Sequence, residues 1–425
     1  MECKNSSLCV FDQLPVQKDI LRHYVSEYFP ITSVTSGGPI EFHVPGNTED
    51  YIDVNDILLH IKFKVLRADG TNVEVADKVG LINLPISSLF QDVSLTLGET
   101  QIEGGQQSYP YVGYLHTMLQ FHPAAQKTHM VTSGWQRDEA GKLDDKTNSG
   151  FVTRQTWTAG SRVHEVVGPL YLDFCRQSRF LVSQTDMRIR LLPAKPEFAL
   201  MGFASKDCKI KFEAVTLRVR RIVPKPSVIN GHATGLAKHN ALYPVNHTEL
   251  LTFTIPSGQK SIVKDRLFPM QAPKLLVVGM VENDAYNGAY NKNPFNFQHF
   301  DLTKIALYRE GDNVPGRPFT PDFDKKHYSC SYVNTMQTLG FFNTDDSNAL
   351  TYSDFANGYT LYAYDLTADN NTSASYRQST MHNNLRLELT FKSDLSKTVN
   401  VILFAVFDSQ VEITKLRDVL TNYTR

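Results

Sequence analysis

The chain has 425 residues, 41% of them hydrophobic and 11% aromatic, and its 43 basic and 44 acidic side chains leave a formal net charge of −1. That length supports two compact units of roughly 200 residues each. The charge balance, with no basic terminal arm to offset it, argues against a protein that coats nucleic acid by bulk charge.

Residues 1–36 mix short apolar pieces with Pro15, Pro30 and hydroxyl side chains, which suits an N-terminal arm that orders only on docking. Strand patterning begins after Pro39. Ile57, Leu59, Ile61, Phe63 and Val65 alternate with positions that include His60, Lys62 and Lys64, so one face of that strand is buried. Val93, Leu95 and Leu97 alternate in the same way, as do Met187, Ile189 and Leu191. Ile210 and Phe212 lie out of phase with Val215, Leu217 and Val219, which requires a bulge around Glu213 and Ala214. Tyr111, Tyr114, Leu115, Met118 and Leu119 follow helical spacing behind Pro110. The polar stretch 133–150 then reads as a surface excursion.

The segment 223–240, with Pro224, Pro226, Gly231 and Gly235, reads as a link to a second unit. Leu251, Phe253 and Ile255 open that unit. Leu275–Val281 is an unbroken apolar run, the pattern of a strand buried on both faces. It breaks into turn-forming Asn, Asp and Gly residues, after which Phe295 and Phe297 put aromatics where a loop is ordinarily polar. Such a loop covers apolar surface or meets a partner. Tyr332, Val333, Met336 and Leu339 predict a helix ending at Gly340, and Leu385, Leu387, Leu389 and Phe391 predict a further one-faced strand before the buried run at 399–407. Each half thus carries about three strands, a helix, a long loop and about three more strands. The repeat is one of element order and not of residue identity. The fold class expected is all-β, with two tandem eight-stranded jelly-roll sandwiches and short helices in the inter-strand loops. The expected boundaries are 1–36 for the arm, 37–230 for the first sandwich and 231–425 for the second with its tail.

Motifs of catalysis are missing: there is no phosphate-binding glycine loop, nucleophile elbow or H-E-x-x-H. His164, Glu165 and Gly168 imitate the last, but glycine stands where the second metal ligand belongs. No His-x-His occurs among the 13 histidines, and Asp50, Asp53 and Asp56 lack the glycine and distal glutamate of a calcium loop. No catalytic, cofactor-binding or metal-binding residues are therefore assigned, no cofactor is expected and the chain is not expected to be an enzyme. Arg218, Arg220, Arg221 and Lys225 form the densest basic group, which reads as the solvated outer face of a strand, with contact to an acidic neighbour or to packaged nucleic acid as the rival. Cys3, Cys9, Cys175, Cys208 and Cys330 show no CxxC spacing and read as free thiols of a reducing compartment. No run approaches the roughly 20 apolar residues of a membrane span, and the start lacks a signal-peptide core. The expectation is no membrane span, no secretion through a signal peptide and no glycan on the sequons at Asn5, Asn246, Asn370, Asn371 and Asn422.

Five stretches carry a family resemblance. They are Gly38-Pro39-Ile40-Glu41-Phe42, Glu49-Asp50-Tyr51-Ile52-Asp53, Asn287-Gly288 with Tyr290, Lys292-Asn293-Pro294-Phe295-Asn296-Phe297, and Asn357-Gly358-Tyr359 with Tyr362-Ala363-Tyr364-Asp365-Leu366. Together they resemble the capsid proteins of Polinton (Maverick) elements and the related adintoviruses, from about residue 37 to 420. The resemblance implies a major capsid protein with a double jelly roll, similar in architecture to adenovirus hexon. It implies homotrimeric pseudo-hexagonal capsomers in an icosahedral shell, a minor or penton capsid protein as partner, and a place in the virion after assembly inside the host cell. The faces between subunits are then expected to use sandwich sides and aromatic loops, with 133–150 on a shell surface and the arm tucked under neighbours. A minor capsid role, or a β-sandwich module that binds glycan or host protein, is the alternative.

Overall fold

A computed structural model describes residues 16–34, 37–46, 49–105, 108–202, 207–372 and 384–423 of the chain. In the first half the strands of the two main sheets are β1 (Ile20–Tyr28), β2 (Ile40–Val44), β3 (Tyr51–Arg67), β4 (Phe90–Leu97), β5 (Thr100–Glu103), β6 (His164–Pro169), β7 (Met187–Pro193) and β8 (Cys208–Pro224), and the short strands Val79–Leu81 and Leu200–Gly202 pair with each other outside them. Helices α1 (Tyr109–Gln120) and α2 (Ser149–Thr158) lie between β5 and β6. Helix α3 (Pro226–Leu236) leads into the second half. There the strands are β9 (Ala241–Ile255), β10 (Ser261–Leu267), β11 (Leu275–Glu282), β12 (Leu302–Arg309), β13 (Asp312–Phe319), β14 (Leu361–Asp365), β15 (Leu385–Phe391) and β16 (Val399–Ile413). Helix α4 (Ser329–Thr338) separates β13 from β14, and a short β17 (Val419–Thr421) pairs with β16.

The two halves share one topology. In the first, the sheets run β1-β8-β3-β6 and β2-β7-β4-β5; in the second, β9-β16-β11-β14 and β10-β15-β12-β13. Every one of these pairings is antiparallel. Numbered within its own half, each sandwich therefore has strand orders 1-8-3-6 and 2-7-4-5, the double Greek key of an eight-stranded jelly roll. The helix expected in each half also falls at one topological point, between the fifth and sixth strands.

Local sequence explains most of these elements. On β3 the side chains of Ile57, Leu59, Ile61, Phe63 and Val65 are buried while those between them are not, apart from the strand end. The phase change on β8 is a bulge between Phe212 and Ala214 in its register with β3. Helix α3 starts at Pro226, whose fixed φ suits a first helical turn, so the linker expected at 223–240 is helical at its centre. The boundary expected at 230/231 falls inside it. Gly340 follows α4 at φ +81°, the left-handed geometry of a helix stop.

Two expectations need correction. The stretch 1–36 is not wholly an arm, because Ile20–Tyr28 is the first strand of the first sandwich, paired along its length with β8. Its alternation is masked because none of its residues is fully buried. Residues 1–15 of that expected arm lie outside the described residues, as do Cys3, Cys9 and the Asn5 sequon. The second correction concerns 133–150, which is only partly a surface excursion: Glu139, Gly141, Lys142 and residues 145–147 are exposed, but Trp135, Asp138, Leu143 and Asn148 are buried.

Candidate assembly interface

Strand β11 is buried at every residue because it serves two cores. Leu276, Val278 and Met280 point into the second sandwich with Leu387, Leu389 and Leu403. Leu275, Val277 and Val281 point the other way, into a cluster continuous with the core of the first sandwich. Neighbouring strands repeat the division: Tyr362 and Tyr364 face inward while Leu361 and Ala363 face the first half, and Ile402, Phe404 and Val406 on β16 do the same opposite Val401, Leu403 and Ala405. One outer sheet face of the second jelly roll is thus an apolar seam covered by the first.

Aromatic rings fill that seam. Phe295 stacks on Tyr114 of α1 with centroids 4.0 Å apart and planes 6° from parallel, and meets Tyr111 edge-on at 5.5 Å. Tyr111 also stacks on Tyr286, and its hydroxyl donates to the Pro294 carbonyl at 3.1 Å. Phe297 packs against β11 so closely that a Cβ on Gly279 would stand 2.6 Å from its ring, which explains a glycine inside an apolar strand. Phe295 and Phe297 have no exposed surface. These loop aromatics were expected on faces between subunits. They instead join the two halves of one chain, because α1 brings a matching aromatic surface to them.

Around the rings runs a polar clasp built from the stretch expected on the surface. Arg137 donates to the Asp354 carboxylate at 2.7 Å and lies over the Tyr359 ring. Tyr359 donates to the Asp138 carbonyl, and Gly141 N–H to the Asn357 carbonyl at 2.9 Å. Asp144 accepts from Asn293 N–H at 2.7 Å and from the Asn296 amide at 2.9 Å. Behind the clasp, fully buried Arg154 on α2 pairs with Asp138 at 2.8 Å and donates to the carbonyls of Leu81 and Gln136. Asn148, whose side chain accepts from Gly150 and Phe151 N–H, starts α2 and so aims Arg154. Trp135 and Leu143, both buried, were the sequence signal that this polar stretch is packed.

The far end of the seam holds a second set of ties. Asp173 accepts from the Thr248 N–H at 2.6 Å and its hydroxyl at 2.8 Å. Both oxygens of Glu103 accept backbone N–H groups, from Asp173 and Phe174 at 2.7 and 2.6 Å. Burial, reinforced by the Asp173 charge, nevertheless pushes Glu103 up to about 8. Tyr423 donates to the Ile102 carbonyl, so the C-terminal segment also crosses between halves. A cleft of about 830 Å³ lies here, lined in part by His116, Asp173, Arg176, Lys274 and Asp408. Lys274 and Asp408 are paired at 2.8 Å, burial holds His116 well below its ordinary range, and burial pushes the Cys175 thiol up. A neutral thiol is a poor nucleophile.

Other residues singled out by sequence fall elsewhere. His164 stacks on Trp157 at 4.9 Å, while Glu165 pairs with His60 and Lys62. Asp50 accepts from Tyr24, and Asp53 and Asp56 both meet Arg220. Among the described residues no group of three or more His, Cys, Asp or Glu is placed to hold a metal. Arg218 pairs with Glu27 on the open face of the first sandwich, but Arg221 is buried over Tyr28, so the basic group does not act as one patch. Cys175 and Cys330 are free thiols. No helix among the described residues is long and apolar enough to cross a membrane.

No family model matches the chain. An uncharacterized protein of Caenorhabditis elegans is 24% identical over 397 residues, 90% of this chain and 92% of its own length. Among solved structures, a chain of the Sputnik virophage superposes with a TM-score of 0.62 at 12% identity, over 99% of this chain and 91% of that one. The Faustovirus major capsid protein gives 0.60 at 8% identity over 96% and 92%, and the mavirus major capsid protein 0.54 at 12% over 100% and 95%. These similarities span both sandwiches. With two complete sandwiches of one strand order joined in a single chain, the protein has the double jelly-roll fold in which those viral major capsid proteins are built.

Proposed function

We propose that this chain is a major capsid protein, three copies of which close into a pseudo-hexagonal tile of an icosahedral shell. The observation that carries the reading is the apolar seam, which locks two jelly rolls of identical topology side by side in one chain. A flexible tether would leave the angle between the sandwiches undefined. A packed seam fixes it, and three rigid pairs related by a heterologous contact close a ring of six sandwiches. The end-to-end match to whole major capsid chains favours the major role over a minor one.

In this reading the role is structural and not catalytic, the chain resides in the virion after assembly inside the host cell, and a separate capsid protein occupies the fivefold vertices. The Polinton or Maverick lineage is the one the sequence resembles. Light scattering on the purified native protein, with negative-stain electron microscopy of the same sample, tests the proposal. Trimers with a six-lobed outline, or closed shells, are expected. A well-behaved monomer at high concentration overturns it.

A further inference from the structure

Strand β1 ends its sheet: among the described residues it pairs with β8 on one side and with no strand on the other. An open edge of this length is a template for another strand, and proteins that must avoid pairing blunt it with charge, proline or a bulge. Here the strand carries an irregularity at Leu21, between Ile20 and Arg22, and exposed Arg22, His23 and Glu27, yet large apolar side chains are concentrated along it. Of fifteen exposed large hydrophobic side chains among the described residues, five (Val16, Leu21, Val25, Phe29 and Ile31) fall within one stretch of sixteen residues. From His23 onward the exposed positions alternate, His23, Val25 and Glu27, and Phe29 just beyond the strand continues their phase, while Leu21 and Arg22 are both exposed at the irregularity.

That order of residues is self-complementary. When two copies of a strand pair antiparallel about a twofold axis normal to the sheet, each residue meets one on the same face, so the paired numbers sum to an even total. Centring the axis on Val25 sets His23 opposite Glu27 and Val25 opposite itself, with Leu21 and Phe29 near one another at the two ends. On the other face Arg22 meets Tyr28 and Tyr24 meets Ser26. Apolar meets apolar, an acid meets a base and a guanidinium meets an aromatic ring. Moving the centre to Tyr24 sets His23 against Val25, and moving it to Ser26 sets Val25 against Glu27. Only the Val25 register satisfies the outward face from His23 to Glu27. Cross-strand pairs of these kinds are what stabilise antiparallel sheets.

We propose that β1 is a docking edge for β1 of a second copy of this chain, joining two four-stranded sheets into one of eight strands across a dyad at Val25. The contact is isologous, so it cannot itself make a threefold ring. Its place between adjacent capsomers, on the local twofold axes of a shell, rests on the capsid reading; the strand pairing does not.

Symmetric disulfide trapping tests it. Residues directly opposite in an antiparallel pair have Cβ atoms about 4.5–5.5 Å apart, close enough for two cysteines to bridge after a small adjustment. In the full chain, with Cys3, Cys9 and Cys330 replaced by serine, Val25→Cys is expected to give covalent chain dimers on mild oxidation. Val263→Cys, an equally exposed valine on β10, gives none. Light scattering should then report species of more than one trimer, and Val25→Asp should leave trimers intact while abolishing their association. If the Val25→Cys chain forms trimers without any disulfide, or with disulfides confined to one trimer, the inference is overturned and the capsid reading stands. If that variant is otherwise monomeric and still forms the disulfide, the edge pairing is upheld and the capsid reading is overturned.

Discussion

Asp138 and Arg154 show how much one buried pair can carry. Neither has exposed side-chain surface, and Arg154 also satisfies two carbonyls on separate segments. Asp138→Ala strands a buried guanidinium, so a loss of about 3–5 kcal/mol is expected, read as a lowered urea midpoint. Restoring an apolar pair with Asp138→Leu and Arg154→Met should recover part of it. Glu103 makes a prediction of different form. Its folded pKa of about 8 lies above the ordinary glutamate value near 4.5. Between those values the folded chain keeps a proton that the unfolded chain releases, so this group's contribution is fully present below about pH 4.5 and is lost as pH rises through 8. Urea midpoints at pH 5 and pH 8 should fall with pH in the native protein and fall less in Glu103→Gln. The slope is the readout, because the amide cannot accept both backbone N–H groups and lowers stability at every pH.

At the scale of elements, α1 and the loop after β11 act as one aromatic unit, though Tyr114 and Phe295 lie in different halves of the chain. Phe295→Ala removes a fully buried ring and is expected to cost about 3–5 kcal/mol. Because the loss is at the seam, limited proteolysis should cut near the linker helix α3 sooner than in the native chain, while core cleavage patterns stay the same. Elements with one clean buried face were readable, β3, β4, β7, β15, helices α1 and α4 and the bulge on β8, as were the runs buried on both faces, β11 and β16. Those with neither pattern were not. Strand β13 contains Pro315, Gly316 and Pro318, and such residues are tolerated only where a strand lies at a sheet edge. Strands β1, β5 and β10 are edge, short or largely exposed strands, so neither alternation nor an apolar run marks them. The tie made by 133–150 was missed because its contacts are polar and reach partners such as Asp354 and Asn293.

For the whole molecule, the two jelly rolls match in topology but not in surface. The β1-β8-β3-β6 sheet turns His60, Lys62, Arg218 and Arg220 outward, several of them paired to carboxylates. Its counterpart turns Leu275, Val277, Phe404 and Val406 toward the first half. A fragment of residues 241–425 alone would therefore expose an apolar sheet face. It should aggregate on size-exclusion chromatography where the full chain does not, and Val277→Lys with Phe404→Lys should restore a soluble fragment. Sequence by itself determined that the chain is all-β, that it divides into two similar units, where the one-faced strands lie, and that Leu275–Val281 is covered on both sides. A period-two or period-3.6 pattern records whether a face is buried. It does not record against what. Only the tertiary structure decided that the second face of β11 meets the first jelly roll and not another subunit, and that a polar loop closes the seam. An aspartate hydrated by solvent and one bound to a side chain in the other half of the chain have the same one-letter code, and only the folded chain brings the partner within reach.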